Sequence, residues 1–225
     1  MKFLIMSDIH GEFSNIPALL NRVEDIDAII IAGDITNFGP KEKIHELMSL
    51  IVKKCPCPII VIPGNCDPIE IHDDMTHAGM INIHNSFFIL KDVLFIGAGG
   101  SNPTPFNTPF ELQEDEIRTN LKKLFSNITS HNGKIILLSH APPKYSLDAI
   151  PARIGSEAIY EMVDKVDMII CGHIHEARGF AISNGTPILN PGQASKGLAA
   201  ILEISRNEKN SLSVNDIEIT FIDLL

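Results

Sequence analysis

Short runs that are apolar at every position, not at alternate ones, punctuate this chain. KFLIM (2–6), AIIIA (28–32) and PIIVI (58–62) are the clearest. KIILLSH (134–140) and VDMIICGH (166–173) carry similar cores further along. A strand with one wet face alternates polar and apolar residues. A uniformly apolar, Ile-rich strand must be covered on both faces. Between the first runs, Ile16, Leu19, Leu20 and Val23, then Ile44, Leu47, Met48 and Ile51, recur at helical spacing. Lys53 and Lys54 favour the end of the second helix, and Pro56 stops it. Strands alternating with helices predict an α/β fold whose sheet lies between other layers.

The middle and end are richer in strands. SFFIL and VLFIGAG read as a strand pair joined near Lys91-Asp92. GGSNPTPFNTPF reads as a long loop ending at a helix start, with Thr108 as N-cap, Pro109 at N1 and Glu111 closing a capping box. Ile117, Leu121, Leu124, Phe125 and Ile128 then line one helical face. Ser156 reads as the cap of a helix bearing Ile159, Met162, Val163 and Val166. Asn184-Gly185 between FAIS and TPIL is a two-residue hairpin signal. GLAAILEI and NDIEITFIDL complete the strands. With no internal repeat and no linker composition, one domain over residues 1–225 is expected.

Composition narrows the function classes. The 225 residues carry a net charge of -10. That argues against binding nucleic-acid backbone or an anionic membrane surface, though not against a small phosphate ester at a local cationic site. No apolar run approaches the roughly 20 residues that span a bilayer. Cys55, Cys57, Cys66 and Cys171 do not read as a disulfide framework, and no signal peptide is visible. A reduced, cytoplasmic setting is expected. A homo-oligomer is allowed.

Five polar motifs follow the apolar runs in order: Asp8-Ile9-His10, Gly33-Asp34, Gly64-Asn65-Cys66-Asp67, His140, and Gly172-His173-Ile174-His175. If the extended path of a strand continues, positions i and i+2 reach one side together, which suits Asp8 with His10 and His173 with His175. Glycine before Asp34 and Asn65 lets the backbone turn sharply. Asp-x-His or Gly-Asp alone is common by chance. The ordered set is not, because the ends of α/β strands are where ligands gather. Mixed carboxylate, imidazole and amide donors suit Mn, Fe, Co, Ni or Zn better than an all-oxygen Ca site. Two such ions sharing a carboxylate and a water make hydroxide available near neutral pH and stabilise charge on a phosphoryl group.

These motifs resemble those of the calcineurin-like metallophosphoesterases, from residue 8 to residue 175, and Asn190-Pro191-Gly192 in the tail also looks familial. GDITNFGP and the chain's size resemble the small prokaryotic phosphoesterases related to the Icc-type cyclic-nucleotide phosphodiesterases. The resemblance implies a four-layer α/β/β/α sandwich of the metallo-dependent phosphatase type. It implies two divalent ions, Mn foremost. Asp8, His10 and His175 would hold one ion and Asn65, His140 and His173 the other, with Asp34 bridging both. It also implies hydrolysis of a small phosphate ester, diesters ahead of monoesters, by metal-bridging hydroxide. A non-catalytic metal-binding scaffold on the same fold and a metal-dependent nuclease are the alternatives.

Cys66 departs from the pattern, since many members carry His there to protonate the leaving group or bind phosphate. A thiol is either a weak general acid here or a small buried residue with no catalytic duty. Asp67 either orients a metal ligand or caps the turn before Pro68. Asp34, Asn65, Cys66, Asp67 and His140 are the candidate catalytic residues. Lys144 and Arg153 are favoured over Arg118 and Arg178 as substrate contacts. The loop from Gly99 to Phe110 forms a lid, with Phe106 and Phe110 as apolar contacts, or a static cover. His45, His72, His77, His84 and His131 read as surface or loop histidines. Cys55-Pro56-Cys57 reads as a loop.

Overall fold

The computed structural model describes residues 1–128, 131, 133–148, 154–205 and 212–224. The first three apolar runs are strands β1 (Lys2–Met6), β2 (Ala28–Ala32) and β3 (Ile59–Ile62), paired in parallel. Beside them lie a short parallel β4 (Ile81–Asn82) and antiparallel β11 (Leu198–Ile204) and β12 (Ile217–Asp223). The order is β12-β11-β1-β2-β3-β4. The second sheet is built from β5 (Phe87–Leu90), β6 (Val93–Ala98), β7 (Lys134–Ser139), β8 (Met168–Ile170), β9 (Gly179–Ser183) and β10 (Thr186–Asn190). Its order is β5-β6-β7-β8-β10-β9, with a parallel centre and antiparallel edges.

The uniform apolarity of the runs has a direct cause. On β1, Phe3 and Ile5 face the other sheet, where Phe3 meets Phe95 edge-on at 5.7 Å. Leu4 and Met6 point outward under helices α1 (Ile16–Leu20), α2 (Glu42–Val52) and α3 (His72–His77). On the other side, α4 (Glu114–Asn127) and α5 (Glu157–Tyr160) cover Leu94, Ile96, Leu137 and Ile169. The layers are therefore α/β/β/α, as expected. Ser156 does cap α5, accepting from the Ile159 N–H, but α5 ends at Tyr160, and Met162, Val163 and Val166 belong to a separate 3-10 turn and its flanks. The Asn184-Gly185 hairpin forms, with both residues at positive φ. No helix among the described residues is long and apolar enough to cross a membrane.

Other expectations fail. The Thr108 N–H donates to the Glu111 carboxylate, one half of a capping box, but the Thr108 hydroxyl donates to the same carboxylate and no helix starts there. The helix begins at Glu114 after Gln113, because Glu111 pairs with Ser101 in an isolated bridge instead. The first helix ends at Leu20, and Val23 packs beneath it as loop. Cys55 and Cys57 are joined as a disulfide across Pro56, with Cα atoms 5.4 Å apart. His72 and His84, expected on the surface or in loops, are half-buried, His72 at the start of α3 and His84 in the connection after β4. Their rings pack against Phe110 at 4.6 and 5.2 Å.

Candidate metal centre

The central parallel strands of both sheets end at one rim, and β1, β2, β3, β7 and β8 each deliver one motif there. The backbone leaves these strands abruptly. Asp8, His10, Asp34 and His173 all sit at positive φ, between 50° and 68°. Non-glycine residues occupy this region at a cost, and such strain gathers at functional sites. The extended Asp8-to-His10 path expected from spacing is thus replaced by left-handed turns. Hydrogen bonds hold them: the Asp8 N–H donates to Gly33 O (3.1 Å), the His10 N–H to Asp34 O (2.9 Å) and the Gly11 N–H to Ile35 O (2.8 Å). Glycine is required at Gly64, where a Cβ would overlap the Asp34 carboxylate.

Two groups of donors face each other across Asp34. In the first, His10 Nε2 lies 3.2 Å from His175 Nε2, and His175 Nε2 lies 3.3 Å from Asp8 Oδ1. In the second, His140 Nε2 lies 2.8 Å from Asn65 Oδ1. Asp34 turns one oxygen to each, Oδ2 at 3.8 Å from His10 and Oδ1 at 3.4 Å from His140. The His173 ring packs 5.1 Å from that of His140. His173 and His175 therefore serve different groups. Cys66 also approaches, its sulfur within 4.8 Å of donor atoms of His10 and Asp34.

The donor chemistry fits cations. His140 Nδ1 donates to Ala32 O at 2.7 Å, which fixes the ring with Nε2 toward Asn65 and Asp34. The Asn65 amide nitrogen donates to Thr108 Oγ1 at 3.0 Å, so its oxygen faces His140. At 2.8 Å, Asn65 Oδ1 and His140 Nε2 are joined by a proton on Nε2 or by a cation that replaces it. Without a metal, the surroundings favour the proton. Burial alone would push His140 down, yet the Asp34 and Asp8 carboxylates lift it to about 9. Burial opposes ionisation of Asp34, but His140 holds its carboxyl well below the usual range. Burial and the neighbouring His140 take His173 down to about 4. Among the described residues, Asp8, His10 and His175 form one compact donor trio, and Asp8, Asp34 and His140 another.

The remaining candidates sort themselves by contacts. Asp67 is buried and accepts from Gly64 N (2.8 Å), Ile35 N (3.1 Å), Thr36 N (2.7 Å) and Thr36 Oγ1 (2.9 Å). It laces the Asp34 loop to the Asn65 loop and orients ligands without reaching the rim. Burial, then Asp34, push its carboxyl up to about 6 against those donors. Burial and the same Asp34 charge hold the Cys66 thiol protonated. Asn190 donates to Ile174 O (3.0 Å) and accepts from Gly192 N (2.9 Å), bracing the His173–His175 loop. Lys144 lines the cleft, bonded to Glu157 at 2.5 Å. Arg118 pairs with Glu161 and Asp115, and Arg178 braces Pro191 and Ile222. Arg153 lies outside the described residues.

Sequence reasoning missed the group that orients Asn65. Thr108 Oγ1 accepts from the Asn65 amide and donates to Glu111 Oε1 at 2.6 Å, while the Phe110 N–H donates to Asn65 O. Burial works against ionisation of Glu111, but donors from Thr104 and Thr108 hold its carboxyl at about 2. The only sequence signal was the Thr108–Glu111 spacing, which also marks a helix start.

The calcineurin-like phosphoesterase family model matches residues 1–177. An uncharacterized protein of Methanocaldococcus jannaschii, MJ1162, is 33% identical over 208 residues, covering 87% of this chain and 89% of that one. Among solved structures, TT1561 of Thermus thermophilus superposes with a TM-score of 0.74 at 17% identity, covering 97% of each chain. A 5'-nucleotidase from Candida albicans SC5314 gives 0.67 at 12% identity, covering all of this chain and 51% of its own. At these identities the solved structures speak for the fold alone.

Proposed function

The chain belongs to the calcineurin-like phosphoesterase family, and from that premise we propose that it hydrolyses small phosphate esters, diesters ahead of monoesters, at a centre of two divalent ions. The observation that carries this reading is the pair of facing side-chain groups with metal-ligand atoms, His10 with His175 and His140 with Asn65, with one Asp34 oxygen toward each. On this reading Asp8, His10 and His175 hold one ion, Asn65, His140 and His173 the other, and Asp34 both. When bound, such ions supply Lewis acidity that lowers the pKa of water and neutralises phosphoryl oxygens. Mixed imidazole, carboxylate and amide donors favour a first-row divalent metal, and Mn leads by family.

The chain's own residues then divide the work. Asp67, Thr108, Asn190 and Ala32 O fix the loops and rings, so little rearrangement accompanies the reaction. Cys66 stands at the rim where an imidazole would serve as proton donor. A buried thiol next to Asp34 gives up its proton poorly. Esters whose leaving groups depart without protonation, such as aryl esters, are therefore favoured. The test is hydrolysis of bis(p-nitrophenyl) phosphate by purified protein with Mn, Fe, Co, Ni or Zn. Metal-dependent turnover abolished by EDTA supports the reading, and no turnover with any metal refutes it.

A further inference from the structure

The cleft in front of the donor cluster has a volume of about 980 Å³, and its lining adds apolar side chains to the donors. Phe38 and Phe106 line it at 58% and 80% exposure, together with Pro103, Pro105 and Ile154. Exposed aromatics are ordinary when scattered, but several facing one cleft beside a reactive centre mark a ligand surface. Both rings are presented by anchored turns. Phe38 holds a left-handed backbone (φ 64°), rare for a bulky residue, with its N–H bonded to Cys66 O at 2.9 Å. The following Gly39 N–H donates to Thr36 Oγ1 at 3.1 Å. Phe106 stands on a strap clamped by Glu111, which accepts from Thr104 Oγ1 and Thr108 Oγ1 at 2.6 Å each. Core packing explains neither ring.

Charge restricts the occupant further. Among the described residues lining the cleft, Lys144 is the sole lysine or arginine, and its ammonium is taken by Glu157. Glu114 and Glu176 add negative charge to the rim. Among the described lining residues, Glu114, Glu157 and Glu176 outnumber Lys144, which favours an uncharged group there over an anionic one. Resting on the phosphoesterase reading above, we propose that this cleft is a subsite for an uncharged, ring-bearing organic group of the ester. Phe38 and Phe106 are its specificity-determining residues, and nucleoside polyphosphates and other multiply charged esters are disfavoured.

The test uses three diesters sharing a p-nitrophenolate leaving group, whose other substituent is phenyl, methyl or 4-carboxyphenyl. With Mn-loaded protein, kcat/KM falls at least tenfold from phenyl to methyl, and at least fivefold from phenyl to 4-carboxyphenyl. In the double variant F38A/F106A the phenyl-to-methyl ratio collapses toward one. A ratio that survives in the double variant, or a 4-carboxyphenyl ester as good as the phenyl ester, overturns the proposal. If no ester is turned over, the hydrolase reading fails, and the subsite is tested by calorimetric titration with diphenyl phosphate. Binding at least tenfold weaker in F38A/F106A supports it, and equal binding overturns it.

Discussion

Replacing Thr108 with Val keeps the side chain's shape and removes one hydroxyl. In the native chain that hydroxyl accepts from the Asn65 amide at 3.0 Å and so keeps Asn65 Oδ1 toward His140. Without it, the amide nitrogen has only the Cys66 sulfur at 3.6 Å, a weak partner. The amide is then free to turn, and its oxygen is no longer held toward His140. Each neutral hydrogen bond is worth about 0.5–1.5 kcal/mol net. A cation must restore that orientation before using Asn65 and His140, so affinity there should fall by about 2- to 12-fold. Glu111 keeps its bonds from Thr104 and the Thr108 N–H, so folding changes little. Titration of metal-free protein with Mn, followed by calorimetry, should show one class of site weakened and the other unchanged. Thr108→Ser should restore it. Native affinity at both sites in T108V would refute the orienting role.

Three further outcomes follow from particular residues. Burial, then the nearby His72, depress His84 to about 4, against an ordinary value of 6.5. The unfolded chain therefore takes up this proton first: stability is complete above pH 6.5 and falls as pH drops toward 4. At 1.36 kcal/mol per pKa unit the loss is about 3 kcal/mol. Urea unfolding in EDTA at about pH 7.5 and about pH 4.5 measures it, and a His84→Phe chain with the same pH slope would contradict the assignment. Cys66→His places an imidazole at the rim and should raise turnover of alkyl esters more than that of aryl esters; no selective rise would remove the proton-donor argument. Asp34→Asn should leave no paired site, reducing bound Mn from two per chain to one or none; two retained ions with full activity would sink the bridging role.

Much of this architecture is legible in the sequence, for identifiable reasons. Strands such as AIIIA, buried on both faces, have no competing amphipathic pattern. Strand-end ligands are readable because Gly33, Gly64 and Gly172 precede them at points of close backbone approach. What escapes is local chemistry reused in another context. Thr108 and Glu111 make one bond of a helix cap, yet here they brace a strap and Asn65. His72 and His84 carry no periodic signal, because their burial comes from Phe110, far along the chain. The left-handed turns at Asp8 and His10 are likewise invisible in an i, i+2 spacing, since bonds to the neighbouring strand's loop impose them. The pairing of Cys55 with Cys57 is a two-residue event that no framework of cysteines announces.

The central claim is that seven side chains on five strand ends form one two-ion hydrolytic centre. Its most direct test is an anomalous-scattering map of crystals grown with Mn and phosphate, read beside the Mn content in solution. Two peaks flanking Asp34, one against Asp8, His10 and His175 and one against Asn65, His140 and His173, are expected. A single peak, or peaks away from Asp34, would contradict it.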